Sequence, residues 1–165
     1  MKSNQSSLWD FSLVLYNDAC TQAACLKLQD TYGADVNVIL YLLFLGQQGR
    51  EVLPESVALI DGAISTWRKE VVQPLRQLRR HLKSADFGIA GDTQEAFRST
   101  VKKVELSSEK LEQDRLAALE PDTLDVSDWA AAARTNLERY AVFIGAPVSD
   151  SGFITLVNRL TSLAG

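Results

Sequence analysis

The stretch Asp35-Val36-Asn37-Val38-Ile39-Leu40-Tyr41-Leu42-Leu43-Phe44-Leu45 decides the fold. Apart from Asn37, every residue after Asp35 is apolar or aromatic, so a helix built on it has no face that can be left in water cheaply. The run is far shorter than the roughly 20 residues that span a bilayer. It therefore reads as a central helix enclosed by others, starting near Asp35 and leaving at Gly46 and Gly49. A chain of 165 residues, 46% hydrophobic and 23% charged, has material for one such shell, since roughly 100–200 residues make a domain. The ordinary apolar fraction and a net charge of only −4 exclude disorder.

Helix punctuation on both sides supplies the shell. Ser6 or Ser7 caps a first helix through Tyr16, with Leu8, Phe11 and Leu15 inward and Asp10 in the first turn. Asp18 caps a second, with Cys20, Ala23, Ala24 and Leu28 on one face and Gly33 as the left-handed residue that ends it. Pro54 opens the longest periodic stripe, Val57, Ile60, Ile64, Trp67, Val71, Leu75, Leu78 and Leu82, in which Pro74 predicts a kink or a boundary because it has no N–H and crowds the carbonyl of Glu70. After a connection at Asp86–Gly91, Asp92 and Glu95 read as a capping box for a fifth helix with Phe97, Val101, Val104, Leu111 and Ala118 inward, ended by Pro121. Two more helices follow: Trp129, Ala133, Leu137, Tyr140 and Ile144 face inward on one, and Phe153, Leu156, Val157 and Leu160 on the other. Strand signals are almost absent. The expected fold is all-α, a single domain over residues 1–165: a bundle of six or seven helices around Asp35–Leu45, its C-terminal helices within about 122–163.

Rarer residues exclude chemistry. One His and two Cys leave little for a His-based centre or a transition-metal site, and no P-loop, dinucleotide fingerprint, zinc signature, nucleophile elbow or DNA-binding motif occurs. Cys20 and Cys25 are about 140° apart on a helix, so they neither pair nor share a metal and read as small core fillers. His81 stands among cations with no nucleophile to serve. Asp122, Asp125 and Asp128 lack the donor pattern of a Ca²⁺ loop and read as acids at a helix N-terminus. Lys2 is followed by a polar run and Asp10 interrupts Leu8–Tyr16, which is not a secretory signal, so a cytoplasmic protein with no membrane span is expected. No metal, cofactor or catalytic residue is assigned, and an enzyme is the least favoured class.

Charge placement is the most informative functional feature. Arg68, Lys69, Arg76, Arg79, Arg80 and Lys83 stand against Glu70 alone, a local charge of +5, while the rest of the chain, 11 basic against 20 acidic residues, carries −9. At 100° per residue the six cations fall within an arc of roughly 120° beside the apolar stripe. Such a flank either pairs with the protein's own acids, Glu105, Glu109, Glu112 and Asp114 among them, or docks an anionic partner, meaning an acidic protein surface or RNA. The leading expectation is a non-enzymatic interaction protein that uses this flank. The alternative is a small-ligand module with a polar and aromatic pocket of Trp9, Tyr16, Asp35, Asn37, Tyr41 and Trp67, since a buried amide such as Asn37 needs partners. Trp129 and the Ala130–Ala133 run suit either a tight internal contact or a dimer face.

Three strings in order carry a resemblance: Ser7-Leu8-Trp9-Asp10-Phe11-Ser12; Cys25-Leu26-Lys27-Leu28-Gln29-Asp30 through Gly33-Ala34-Asp35-Val36-Asn37; and Trp67-Arg68 with Val71-Val72-Gln73-Pro74-Leu75-Arg76. Over roughly residues 6 to 115 the chain resembles the proteobacterial family of unknown function DUF2390. The resemblance implies a bacterial cytosolic, helical protein and brings no reaction, ligand or catalytic residue to carry over.

Overall fold

Helices begin where a short polar side chain can take their free amides. In a computed structural model that describes residues 7–164, the Ser7 hydroxyl accepts from the Asp10 N–H at 3.1 Å and opens α1, Leu8–Tyr16; Ser6 lies outside the described residues. Asp18 accepts from the Thr21 N–H at 2.8 Å and opens α2, Ala19–Tyr32, which Gly33 closes at φ +69°. Asp35 accepts from the Asn37 and Val38 N–H groups at 2.8 and 3.3 Å and opens α3, Val36–Gln47. Strand β1, Arg50–Val52, leads into α4, Pro54–Trp67. A π-helical segment, Arg68–Val72, joins it without a break to α5, Gln73–Ser84. Then come α6, Gly91–Ala117; β2, Thr123–Asp125; α7, Trp129–Ile144; and α8, Ser151–Ala164. Counting α4 to α5 as one rod, the described residues form seven helices and one antiparallel strand pair that sets Arg50 opposite Asp125 and Val52 opposite Thr123.

The α3 helix is the axis, as its sequence demands. Val38, Ile39, Leu42, Leu43 and Leu45 are fully buried, and α1, α2, α6, α7 and α8 surround them. At Gly46 the approach of α7 is so close that a Cβ there would stand 2.4 Å from the Ala133 Cα. The small-residue run thus serves an internal contact, with Ala132 and Ala133 buried. Asn136 on α7 pins β1 to α3: its side-chain carbonyl accepts from the Val52 N–H at 2.8 Å, and its amide N–H groups donate to the Leu42 and Arg50 carbonyls at 3.1 and 3.0 Å.

Four local expectations are corrected. On α2 the inward face is Thr21, Ala24, Cys25 and Leu28, while Cys20 is exposed; the Asp18 cap fixes the phase, and Thr21 bonds Asp18 by both backbone and side chain. Before Pro74 the rod widens to a π-turn, in which Gln73 N–H donates to the Arg68 carbonyl. That turn absorbs the missing Pro74 donor and advances the phase by one residue, so Val72 rather than Val71 is buried and Leu78 is exposed, while Leu82 is buried as the stripe predicts and Trp67, before the turn, is exposed. The α6 cap is not a box: Asp92 accepts from the Thr93 N–H, and Glu95 pairs with Arg98. Of the three acids after Pro121, Asp128 caps α7 at 3.0 Å from the Ala131 N–H, whereas Asp125 ends β2 and Asp122 precedes it.

A fifth correction concerns the inward face of α6. Of its predicted inward stripe only Val101 is buried; Phe97, Val104 and Leu111 are 55%, 49% and 57% exposed. The face that turns in carries Val101, Glu105, Ser108, Glu112, Gln113 and Leu116. A helix that leaves apolar residues in water and buries two glutamates and a glutamine needs compensating partners, because an unpaired buried polar group costs about 1–3 kcal/mol.

Candidate polar cleft

Those partners lie around a cleft of about 620 Å³ between α1, the C-terminus of α2, the start of α3, the π segment with α5, and α6. Its floor is a side-chain relay. Gln113 Nε2 donates to Asn37 Oδ1 at 2.9 Å, and Asn37 Nδ2 donates to Glu112 Oε2 at 2.8 Å. The Asn37 backbone N–H donates to Asp35 Oδ1, so one residue at the first turn of α3 touches both carboxyl groups. Arg68, set at the start of the π segment, donates from Nη1 to Asp35 Oδ2 at 3.2 Å and grips Asp61 with two bonds at 2.7 and 3.0 Å. From the far side, the Asp35 N–H donates to the Tyr140 hydroxyl at 2.8 Å.

Electrostatics separates the two carboxyls of this floor. Burial, and next the negative charge of Asp35, push the Glu112 carboxyl up to about 8, with Asn37 and Arg68 pulling the other way. Glu112 is therefore largely protonated at neutral pH. Its Oε1 has no hydrogen-bond partner among the described residues. Burial likewise raises the Tyr140 phenol, keeping it neutral beside Asp35.

The walls are cationic. Arg76 spends all three nitrogens, on Glu105 at 3.3 Å, Gln29 at 2.8 Å and Glu109 at 2.8 Å. Arg79 forks onto Glu105, from Nη2 at 3.1 Å and through a shorter Nε contact. Arg80 reaches Asp30 at 3.3 Å in an exposed pair. Lys83 and Lys102 also line the cleft and make no ion pair with the described residues, while Trp9, Tyr16, Leu13 and Leu106 supply its apolar surface.

Of the residues singled out in the sequence, Arg68, Arg76, Arg79, Arg80 and Lys83 line this cleft together with Trp9, Tyr16, Asp35 and Asn37. Lys69 lies outside the lining. So does Tyr41, whose hydroxyl donates to the Leu119 carbonyl at 3.3 Å, and so does Trp67, whose indole N–H donates to the Ser108 carbonyl at 3.0 Å. The sequence reading proposed the acids of the following helix as partners for the basic flank, and Glu105 and Glu109 take that role. It missed Ser12, Gln29, Lys102 and Gln113 as lining residues. The only signal for Gln113 is its place, one residue after Glu112 on the helix whose acids the sequence offers to the basic flank.

With that geometry in place, the comparison with known families is decisive. The DUF2390 pattern, described as a protein of unknown function, matches residues 7–116. The chain belongs to the DUF2390 family. No curated protein and no solved structure matches it. Every residue that lines the cleft, from Trp9 to Gln113, falls inside the DUF2390 match, whereas Tyr140, which braces Asp35 from behind, falls outside it. No described helix is long and apolar enough to cross a membrane.

Proposed function

We propose that this DUF2390 protein is a helical module that binds a small anionic molecule in the polar cleft. The observation that carries the reading is the inverted α6. That helix leaves Phe97, Val104 and Leu111 in water and turns Glu105, Glu112 and Gln113 toward the cleft, an arrangement that a core needing only stability has no reason to adopt. Lining cations held by Glu105, Glu109 and Asp61 are fixed before any ligand arrives, which lowers the ordering cost of binding. The volume lies within the range of about 300–1,000 Å³ typical of small-molecule sites.

Thermal denaturation of the full chain against a panel of anionic, neutral and cationic small molecules tests this. A ligand present at 100 times its Kd stabilises by about 2.7 kcal/mol, several degrees in Tm for a domain of this size. Anionic molecules are expected to raise Tm, and Leu106→Trp, which fills the cleft from an exposed position, is expected to abolish the shift. A panel with no active member, or a shift unchanged by Leu106→Trp, contradicts the reading.

A second reading keeps the flank as a docking surface for an acidic protein or RNA. It draws on Lys69 and Lys83, which are exposed and make no ion pair with described residues. It predicts RNA retention at low salt that is lost as screening increases and in Lys69→Glu with Lys83→Glu. Retention that survives both changes contradicts it.

A further inference from the structure

We propose that the ligand of the cleft is a phosphomonoester whose neutral head group carries N–H or O–H donors, an inference that rests on the small-ligand reading above and narrows it. The two ends of the cleft make different demands.

At the floor, the relay leaves acceptors. Because Gln113 Nε2 is committed to Asn37 Oδ1 and Asn37 Nδ2 to Glu112 Oε2, each amide fixes the orientation of the next, and Gln113 Oε1 is left with no donor. The Ser12 hydroxyl, on α1, is also without a partner. Both residues line the cleft and both are more than nine-tenths buried. A carbonyl oxygen can only accept, so the group that satisfies Gln113 must bring a hydrogen. Six cations against four carboxyl groups leave the lining net positive, which disfavours an ammonium and leaves a hydroxyl, an amide or an exocyclic amine.

At the rim, the uncommitted groups are cationic. Lys83 on α5 and Lys102 on α6 have no ion pair with described residues, and Arg79 keeps Nη1 free after forking onto Glu105. Both lysines line the one cleft, and Lys83 stands one helical turn after Arg79 on α5. Two uncommitted ammonium groups and a free guanidinium nitrogen in one lining suit a phosphate dianion better than a single carboxylate. Trp9 and Tyr16 also line the cleft, and such flat surfaces accept the body of a sugar or a nucleobase.

Isothermal titration of the full chain tests the inference. The probes are the four ribonucleoside 5′-monophosphates, glucose 6-phosphate, each of these without its phosphate, and inorganic phosphate. At least one phosphomonoester is expected to bind ten-fold or more tightly than both its dephosphorylated form and inorganic phosphate. Lys83→Ala with Lys102→Ala, both at exposed positions, is expected to weaken that binding at least ten-fold with Tm unchanged. Preference for a nucleotide assigns a nucleobase head, and preference for the sugar phosphate assigns a polyol head. Inorganic phosphate binding as tightly as any ester, or no ester binding at all, overturns the inference. If non-phosphorylated anions still raise Tm in the thermal panel, the small-ligand reading survives that failure; if nothing does, both fall.

Discussion

At Glu112 a carboxyl group that is 1% exposed donates nothing to water, takes one hydrogen bond from Asn37 and sits beside Asp35. In the unfolded chain the same carboxyl titrates near its ordinary value of about 4.3. Folding raises it to about 8, so between those values the folded state holds a proton that the unfolded state has released. Its contribution to stability is complete below about pH 4.3 and declines as pH climbs toward 8. Glu112→Gln keeps the neutral shape and has no proton to lose. Urea unfolding is therefore expected to show the wild type weakening from pH 5 to pH 8 by on the order of a few kcal/mol relative to Glu112→Gln, with the two closest at pH 5. Parallel pH profiles would mean that Glu112 is ionised in the folded protein. Asn37 was legible as a buried amide in need of partners, and Asp35 as a cap. The sequence had no means of naming Glu112 and Gln113 as the partners, because they lie 75 and 76 positions away.

Element by element, apolar periodicity succeeded where a helix is closed by apolar neighbours and failed where acids cross between helices. The caps at Ser7, Asp18 and Asp35 and the left-handed Gly33 are local chemistry, so they could be read directly. On α6 the rule that polar residues face water broke down, because Glu105 finds Arg76 and Arg79 on α5 and so turns inward with its charge compensated. The phase change after Trp67 was equally hidden, since Pro74 announces a disturbance without saying that it is absorbed by a π-turn. The inversion has a measurable signature. Glu105→Ala strands Arg79 and takes one of three partners from Arg76, and is expected to cost about 3–5 kcal/mol, the usual penalty for breaking a buried pair. Leu111→Lys, at the centre of the textually apolar stripe, is expected to stay within about 0.5 kcal/mol of wild type. Chemical denaturation of both decides it, and the reverse ranking would return the stripe to the core.

For the molecule as a whole, the DUF2390 match and the folding unit differ in extent. The match ends at residue 116, yet α7 packs along α3 so closely that Gly46 has no room for a Cβ. Tyr140 and Asn136 tie the same helix to the cleft floor and to β1. A fragment ending at residue 120 is therefore expected to lose cooperative thermal unfolding, because half of the most apolar helix would face water; a sharp melt from that fragment would show that α7 and α8 are dispensable. The full fold places aromatic reporters conveniently, with Trp9 in the cleft and Trp67 and Trp129 outside its lining. The most direct test of the cleft is a nitrogen-15 NMR titration of the full chain with whichever anion raises Tm most. The Trp9 indole signal and the side-chain amides of Asn37 and Gln113 are expected to move together and saturate at one Kd, with the Trp129 indole still. Movement confined to other signals, or none at ligand concentrations that raise Tm, would contradict a binding site in the polar cleft.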